Sequence, residues 1–195
     1  MSDLFQKVEY EAFRAGIEPR TKESRAWFRK KVQNMRGFSR RDLMNNEPIE
    51  KRKRSAIGSM YMFFYDAKHR KTLPYYDAFP LVIAMGPAEG GFYGLNLHYL
   101  PIPLRAKFLD ELVGITNNKK YDETTKFQVS YDLMNRARKF RYFKPCFKHY
   151  LNSQVEGQLA YVPPPEWEIA TFLPMAQFRG NKSQVYKDSR RMINA

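Results

Sequence analysis

Cysteine occurs once, at position 146, which excludes an intramolecular disulfide framework and any all-cysteine zinc site. Histidine is nearly as scarce: His69, His98 and His149 lie far apart and leave a histidine-rich metal centre little material. Long apolar runs are missing as well. The longest, Ala78 to Met85, is eight residues and contains Pro80, well short of the ~20 that a membrane span needs. The first residues mix Asp3, Lys7, Glu9 and Glu11 with apolar ones, so no secretory leader is expected. Acid is the minority charge, with 20 Asp and Glu against 34 Lys and Arg, a net charge of +14 over 195 residues. Aromatics, by contrast, make up 15% of the chain and hydrophobic residues 43%. A chain of this size buries roughly 70% of its unfolded surface, so a folded core is expected and global disorder is not. No motif asks for a cofactor.

The excess charge is densest near the front. The first 57 residues hold 15 basic and 8 acidic side chains, a net of +7, and the remaining 138 supply the other +7. Within that third stands the run Lys51, Arg52, Lys53 and Arg54, after Arg40-Arg41 and the turn-like Asn45-Asn46-Glu47-Pro48. A second concentration comprises Arg136, Arg138, Lys139, Arg141, Lys144 and Lys148, with no acid from Asn135 through Val155. Such fields attract phosphates, acidic protein surfaces or anionic lipid with little discrimination. A solvated positive face is the plain alternative for the second cluster; a flexible basic segment that touches a polyanion or partner is the expectation for the first.

Two amphipathic helices should open the chain. Leu4, Phe5, Val8, Ala12 and Phe13 recur at helical spacing until Gly16 and Pro19 stop them. Thr21 is a suitable N-cap for the second, with Glu23 in its first turn, and Trp27, Phe28, Val32 and Met35 form its stripe up to Gly37. Lys7, Arg14, Arg25, Arg29, Lys30 and Lys31 fall on the opposite faces. A pair this short is marginal alone in water, so it docks either on its own body or on another chain. Residues 1–36 are therefore expected to form a helical arm and 37–57 a basic linker.

From residue 58 to 176 the pattern suggests an α+β body. Met60–Tyr65, Leu81–Met85 and Phe92–Tyr99 look like strands of a small antiparallel sheet, and Gly94 suits the bend that a barrel-like curl requires. Helices are expected over Leu104–Val113, then after Asp122 with Phe127, Tyr131 and Met134 on one side, and then from Pro145 with Phe147, Leu151 and Val155. Pro163-Pro164-Pro165 suggests a stiff connector and Trp167–Leu173 a returning strand. The basic stretch 177–195 is expected to be a mobile tail.

Residues suited to chemistry are sparse. The glycines between 86 and 94 lie between two strands without a following Gly-Lys-Ser/Thr, so a hairpin loop accounts for them better than a phosphate cradle. Cys146 stands between Lys144 and Lys148, with His149 close by, but a nucleophile also needs an oriented base and oxyanion donors. A packing thiol and a structural His98 are the simpler readings. No compact pair of carboxylates ends a strand, so no catalytic or metal-binding residue is assigned. Phe140-Arg141-Tyr142-Phe143-Lys144 could stack bases while neutralising phosphate, or could bury its aromatics and expose only its cations.

One resemblance goes further than these patterns. Phe63-Phe64-Tyr65-Asp66-Ala67-Lys68, Thr72 to Pro80, Gly91 to Pro101, Asn117 to Asp122, Phe143-Lys144-Pro145-Cys146 and Trp167-Glu168-Ile169-Ala170 are similar to small basic virion and assembly proteins of contractile-tailed bacteriophages of the T-even and marine cyanophage type. The resemblance implies a virion component, assembled in the host cytoplasm. Its implied setting is the tail or baseplate, and it assigns no functional residue. The leading expectation is a non-enzymatic structural protein. Leu4, Phe5, Val8, Phe13, Trp27, Phe28, Val32 and Met35 would dock its arm on neighbouring virion subunits in a symmetric assembly. The alternative is a nucleic-acid-binding protein acting at the phage genome end or in packaging, with the two cationic clusters on phosphates.

Overall fold

The computed structural model describes residues 3–33, 35, 37, 39–45, 49–116, 132 and 141–194. Its frame is a six-stranded antiparallel sheet in the order β1-β7-β2-β4-β5-β6. These strands are β1 (Lys51–Arg52), β2 (Met60–Tyr65), β4 (Leu81–Ala88), β5 (Gly91–Asn96), β6 (Phe147–Leu151) and β7 (Val155–Val162). A two-stranded ribbon joins β3 (Tyr75–Asp77) to β8 (Phe178–Gly180). The helices are α1 (Asp3–Arg14), α2 (Lys22–Val32), α3 (Arg40–Asn45), α4 (Ile102–Thr116), α5 (Trp167–Phe172) and α6 (Lys182–Asn194). The α+β expectation therefore holds.

Strand alternation builds two cores. Met60 and Met62 of β2 and Leu81, Ile83 and Met85 of β4 face the helices, while Tyr61, Phe63 and Tyr65 with Val82 and Ala84 face the other way. Both sets are buried, which is why these strands are almost continuously apolar. No described helix covers the second face; the sheet curls over it. A three-residue turn, Asn152–Gln154, carries the chain from β6 to β7 although β2, β4 and β5 stand between them in the sheet. Only strong curvature lets so short a connection span that distance. Phe63, Phe92 and Tyr150 fill the interior of the curl, with Phe63 and Tyr150 edge to face at 5.3 Å. The sheet nevertheless stays open, with no ladder between β6 and β7.

Gly94 serves the curl, as expected. A Cβ there would lie 2.2 Å from Val82 Cγ1, and the β4–β5 register shifts beside it, between Ala84 and Gly86. The close approach and the bulge together bend both strands inward.

Several expected elements differ. The stretch from Pro145 is not a helix: a 3-10 turn over Arg141–Cys146 leads into β6, whose Phe147 and Tyr150 pair in register with Leu95 and Phe92. Trp167–Leu173 is not a strand. Pro163 to Glu166 form a turn that starts α5, all six of whose residues are buried. Residues 177–195 are no loose tail, since β8 pairs with β3 and α6 buries Val185, Ser189 and Ile193. The 37–57 stretch contains α3, with Leu43 and Met44 buried, and β1, paired to β7. The helix expected after Asp122 lies outside the described residues.

The N-terminal helices lie on the chain's own core. Phe5, Val8, Phe28 and Val32 are fully or nearly buried there, with Leu4, Trp27 and Met35 partly buried against it. Phe13 departs from the expected stripe and is 80% exposed, on the side of α1 that also leaves Tyr10 exposed. Thr21 caps α2 as expected, its Oγ1 accepting from Ser24 N at 3.0 Å in a reciprocal box.

Glu166 sits at the junction of α1 and α5, and one of its oxygens lacks a hydrogen-bond partner among the described residues. Burial pushes its carboxyl up to about 7, and the facing carboxylate of Glu9 adds to the rise. A carboxyl raised in the folded state destabilises that state as it ionises: the penalty is absent well below pH 4.5, grows as pH climbs, and is complete above about 7. Urea midpoints at pH 5 and pH 8 should therefore show Glu166→Gln gaining on the wild type by about 1–2 kcal/mol at the higher pH. An unchanged difference would remove Glu166 from that role.

Candidate nucleic-acid interface

Four arginines from three parts of the chain converge where α3, the end of β2 and the β3–β8 ribbon meet. Arg40 and Arg41 come from α3, Arg70 from the turn after β2, and Arg179 from β8. With Ser39, Tyr65, Tyr76 and Gln177 they line a cleft of about 600 Å³. Arg40 is anchored: its Nε donates to Met175 O at 2.6 Å and its Nη2 to Ala176 O at 3.1 Å. Partial burial lowers its pKa, and the charge of Asp77 opposes that shift. Arg70 pairs with Asp66, which also accepts from Tyr76 Oη at 3.1 Å. Arg41 and Arg179 are exposed and have no ion-pair partner among the described residues. Glu156 is the cleft's second acid, so four cations face two carboxylates.

A second cleft, of about 380 Å³, shares Tyr65 and Tyr76 with the first. Tyr75, Tyr99 and Tyr150 also line it, together with Leu73, Lys68, His69, Lys148 and His149. Lys148 Nζ lies 4.2 Å above the Tyr99 ring, and burial lowers its pKa. Tyr75 Oη hydrogen-bonds to Asp188 Oδ2 of α6 at 3.0 Å, and burial pushes its phenol up to about 12. Lys182, Lys187 and Arg190 are exposed on α6, which packs against β3.

Under both clefts runs a buried polar network. Asp77 accepts from Phe79 N at 3.1 Å, Gln177 N at 3.0 Å, Asn96 Nδ2 at 3.1 Å and His98 Nδ1 at 2.6 Å. Burial opposes its ionisation, but His98 and the other donors prevail and hold its pKa below the usual value. Burial lowers the pKa of His98, against the opposing charge of Asp77. With Nδ1 carrying the proton, its unpartnered Nε2 is only a lone pair. Arg105, almost fully buried, donates to the carbonyls of Leu100, His98 and Thr171.

The predicted cationic residues are dispersed. Lys51, Lys53 and Arg54 are exposed, whereas Arg52 is half-buried, paired with Glu50 at 2.6 Å and set 3.9 Å over the Tyr161 ring. That run is an edge strand and the turn after it, not a loose segment. Lys144 is exposed, and Lys148 belongs to the tyrosine cleft. Arg136, Arg138 and Lys139 lie outside the described residues, as does the side chain of Arg141. Arg25, expected on a solvated face, is buried against Asp110 and Glu168. Cys146 is fully buried, and its thiol is pushed by burial up to about 12, although Lys148 pulls the other way. Burial and the raised pKa fit the packing thiol that was the simpler reading of the sequence.

The arginine cleft escaped sequence reasoning. Its members are separated by up to more than a hundred positions, and only the β3–β8 pairing brings Arg179 beside Tyr76. The available signals were Arg40-Arg41 and the charged turn ending at Arg70, neither of which marks a site alone.

A cleft that offers two arginines with no ion-pair partner among the described residues, beside tyrosine rings, has the chemistry of a nucleic-acid contact, and comparison with known families agrees. The model of the phage T4 terminal DNA protecting protein family matches residues 6–194. The chain belongs to that family. Neither the curated proteins nor the solved structures include a match. Membership places the chain among T4-type bacteriophage proteins, as the resemblance implied. The family's description names terminal DNA and lends no support to a tail or baseplate setting, so of the two expectations it favours the second. No helix among the described residues is long and apolar enough to cross a membrane.

Proposed function

We propose that this protein binds the ends of double-stranded phage DNA and shields them, with the arginine cleft as its phosphate contact. The observation that carries the reading is the family match across residues 6–194. The cleft supports it physically, because Arg41 and Arg179 have no ion-pair partner among the described residues and guanidinium groups take phosphate oxygens in pairs. Shielding an end needs occupancy, not turnover, and in this reading the fully buried Cys146 and His98 serve packing.

The test is a salt titration with two duplexes of equal length, one with free ends and one closed by hairpins. Binding to the open duplex should be the tighter, and log affinity should fall with log salt at a slope of about −0.9 per phosphate neutralised, hence about −2 to −4 for this cleft. The double variant Arg41→Ala/Arg179→Ala should flatten that slope by about 2. Equal binding to both duplexes, or binding indifferent to salt, overturns the reading.

A further inference from the structure

The two clefts adjoin, since Tyr65 and Tyr76 line both, and they differ in kind. One offers guanidinium groups; the other offers five tyrosines, two lysines, two histidines and Leu73. At about 600 and 380 Å³ both fall in the roughly 300–1,000 Å³ range of small-molecule sites, and neither is a groove for an intact helix. Building on the DNA-end reading and naming its ligand, we propose that they take the terminal nucleotide of one strand, its terminal phosphate among the arginines and its unstacked base among the tyrosines.

The chemistry of an end matches this division. A terminal phosphate is a monoester carrying close to two charges at neutral pH, where an internal diester carries one. Arg41 and Arg179 are the two cations with no described partner to give up. A terminal base is stacked on one face only, so extruding it costs less than flipping an internal one. Tyrosine rings accept any base, because every base has a π-face, so the site selects position and not sequence. Asp66 does not oppose the phosphate strongly, being already engaged by Arg70 and Tyr76. Glu156 has no described partner and does oppose it.

The experiment uses the full chain and short duplexes with 5-iododeoxyuridine either at the terminal position or ten base pairs inside. The hairpin-closed duplex is the control for end binding as such. Irradiation followed by peptide mapping should place the terminal crosslink on Tyr75, Tyr76 or Tyr99 and give little product from the internal position. Crosslinks elsewhere, or equal yields from both positions, overturn the nucleotide site while end preference itself survives; loss of end preference overturns both readings. In parallel, duplexes ending in 5′-phosphate, 3′-phosphate or hydroxyl are compared. One phosphorylated end should bind about tenfold tighter than hydroxyl, the worth of roughly one charge-assisted hydrogen bond. Arg41→Ala/Arg179→Ala should erase that difference and Glu156→Gln should widen it. A free deoxynucleoside monophosphate should compete only weakly, because it lacks the duplex beyond the end. No phosphate preference in the wild type overturns the arginine half of the site.

Discussion

Asp77→Ala will cost the fold about 3–5 kcal/mol, the usual penalty for removing one partner from a buried, hydrogen-bonded charged cluster. Asp77 is 2% exposed and satisfies two backbone amides, from Phe79 and Gln177, along with Asn96 and the His98 ring. Alanine would orphan four donors at once. These donors belong to β5, to the turn after it and to the segments flanking the β3–β8 ribbon, so the ribbon would loosen first. Because β8 carries Arg179 and β3 carries Tyr75 and Tyr76, the variant should lose the proposed DNA binding together with stability. Asp77→Asn gives the discriminating comparison. Its carbonyl oxygen still accepts from the two backbone amides, but its amide faces both the Asn96 amide and the His98 Nδ1 proton, so about 1–3 kcal/mol should be lost. Thermal melting of the three proteins should rank wild type, Asn, Ala, with the midpoint of the alanine variant lower by about 10 °C for a chain of this size. An alanine variant that melts with the wild type would mean the cluster is not a unit.

The same network fixes the sign of the acid limb. Asp77 has a depressed folded pKa, so its contribution is present above the ordinary carboxylate value and is lost as pH falls through the folded one. His98 is also depressed, which makes the fold bind fewer protons than the unfolded chain below the ordinary imidazole value. Both terms destabilise on acidification, whereas Glu166 acts the other way.

The sheet was legible where local pattern and tertiary role agree. Met60–Tyr65 and Leu81–Met85 are β-formers buried on both faces; the hairpin expected after them is there, but β4 runs on to Ala88 and leaves only Glu89-Gly90 as its turn. Legibility failed where packing overrides propensity. Trp167–Leu173 is rich in Ile, Thr and Phe, yet the proline turn before it starts a helix, and burial on every side rewards helix and strand alike. Phe147–Leu151 has helical spacing only because Phe147 and Leu151 are four apart; pairing with β5 decides the matter. In the candidate site, single cations could be counted from the sequence but their convergence could not, since it depends on ribbon register and on the seat of α3.

Arg25→Met should cost about 3 kcal/mol, at the low end of the range for a broken buried pair because Asp110 keeps some contact with water. Whether the N-terminal helices are an arm or part of the body turns on what Glu168 holds. Glu168 of α5 is 2% exposed and accepts from Arg20 N at 3.1 Å and Ser24 Oγ at 2.8 Å, with Arg25 Nη1 at 3.5 Å. Arg20 holds a left-handed backbone, φ 61°, unusual for a residue with a side chain, and Glu168 is what its amide meets there. Methionine keeps the apolar stem of Arg25 but leaves the carboxylate of Glu168 without its cation. Arg25→Met/Glu168→Gln should recover more than half of the loss, since the glutamine carbonyl still accepts and no buried charge remains unpaired. Deleting residues 1–36 removes this clasp and strips Phe5, Val8, Phe28 and Val32 from the core, so the remainder should lose cooperative unfolding. Were the truncated protein to melt as sharply and at the same temperature as the whole, the helices would be an appendage seeking a partner after all.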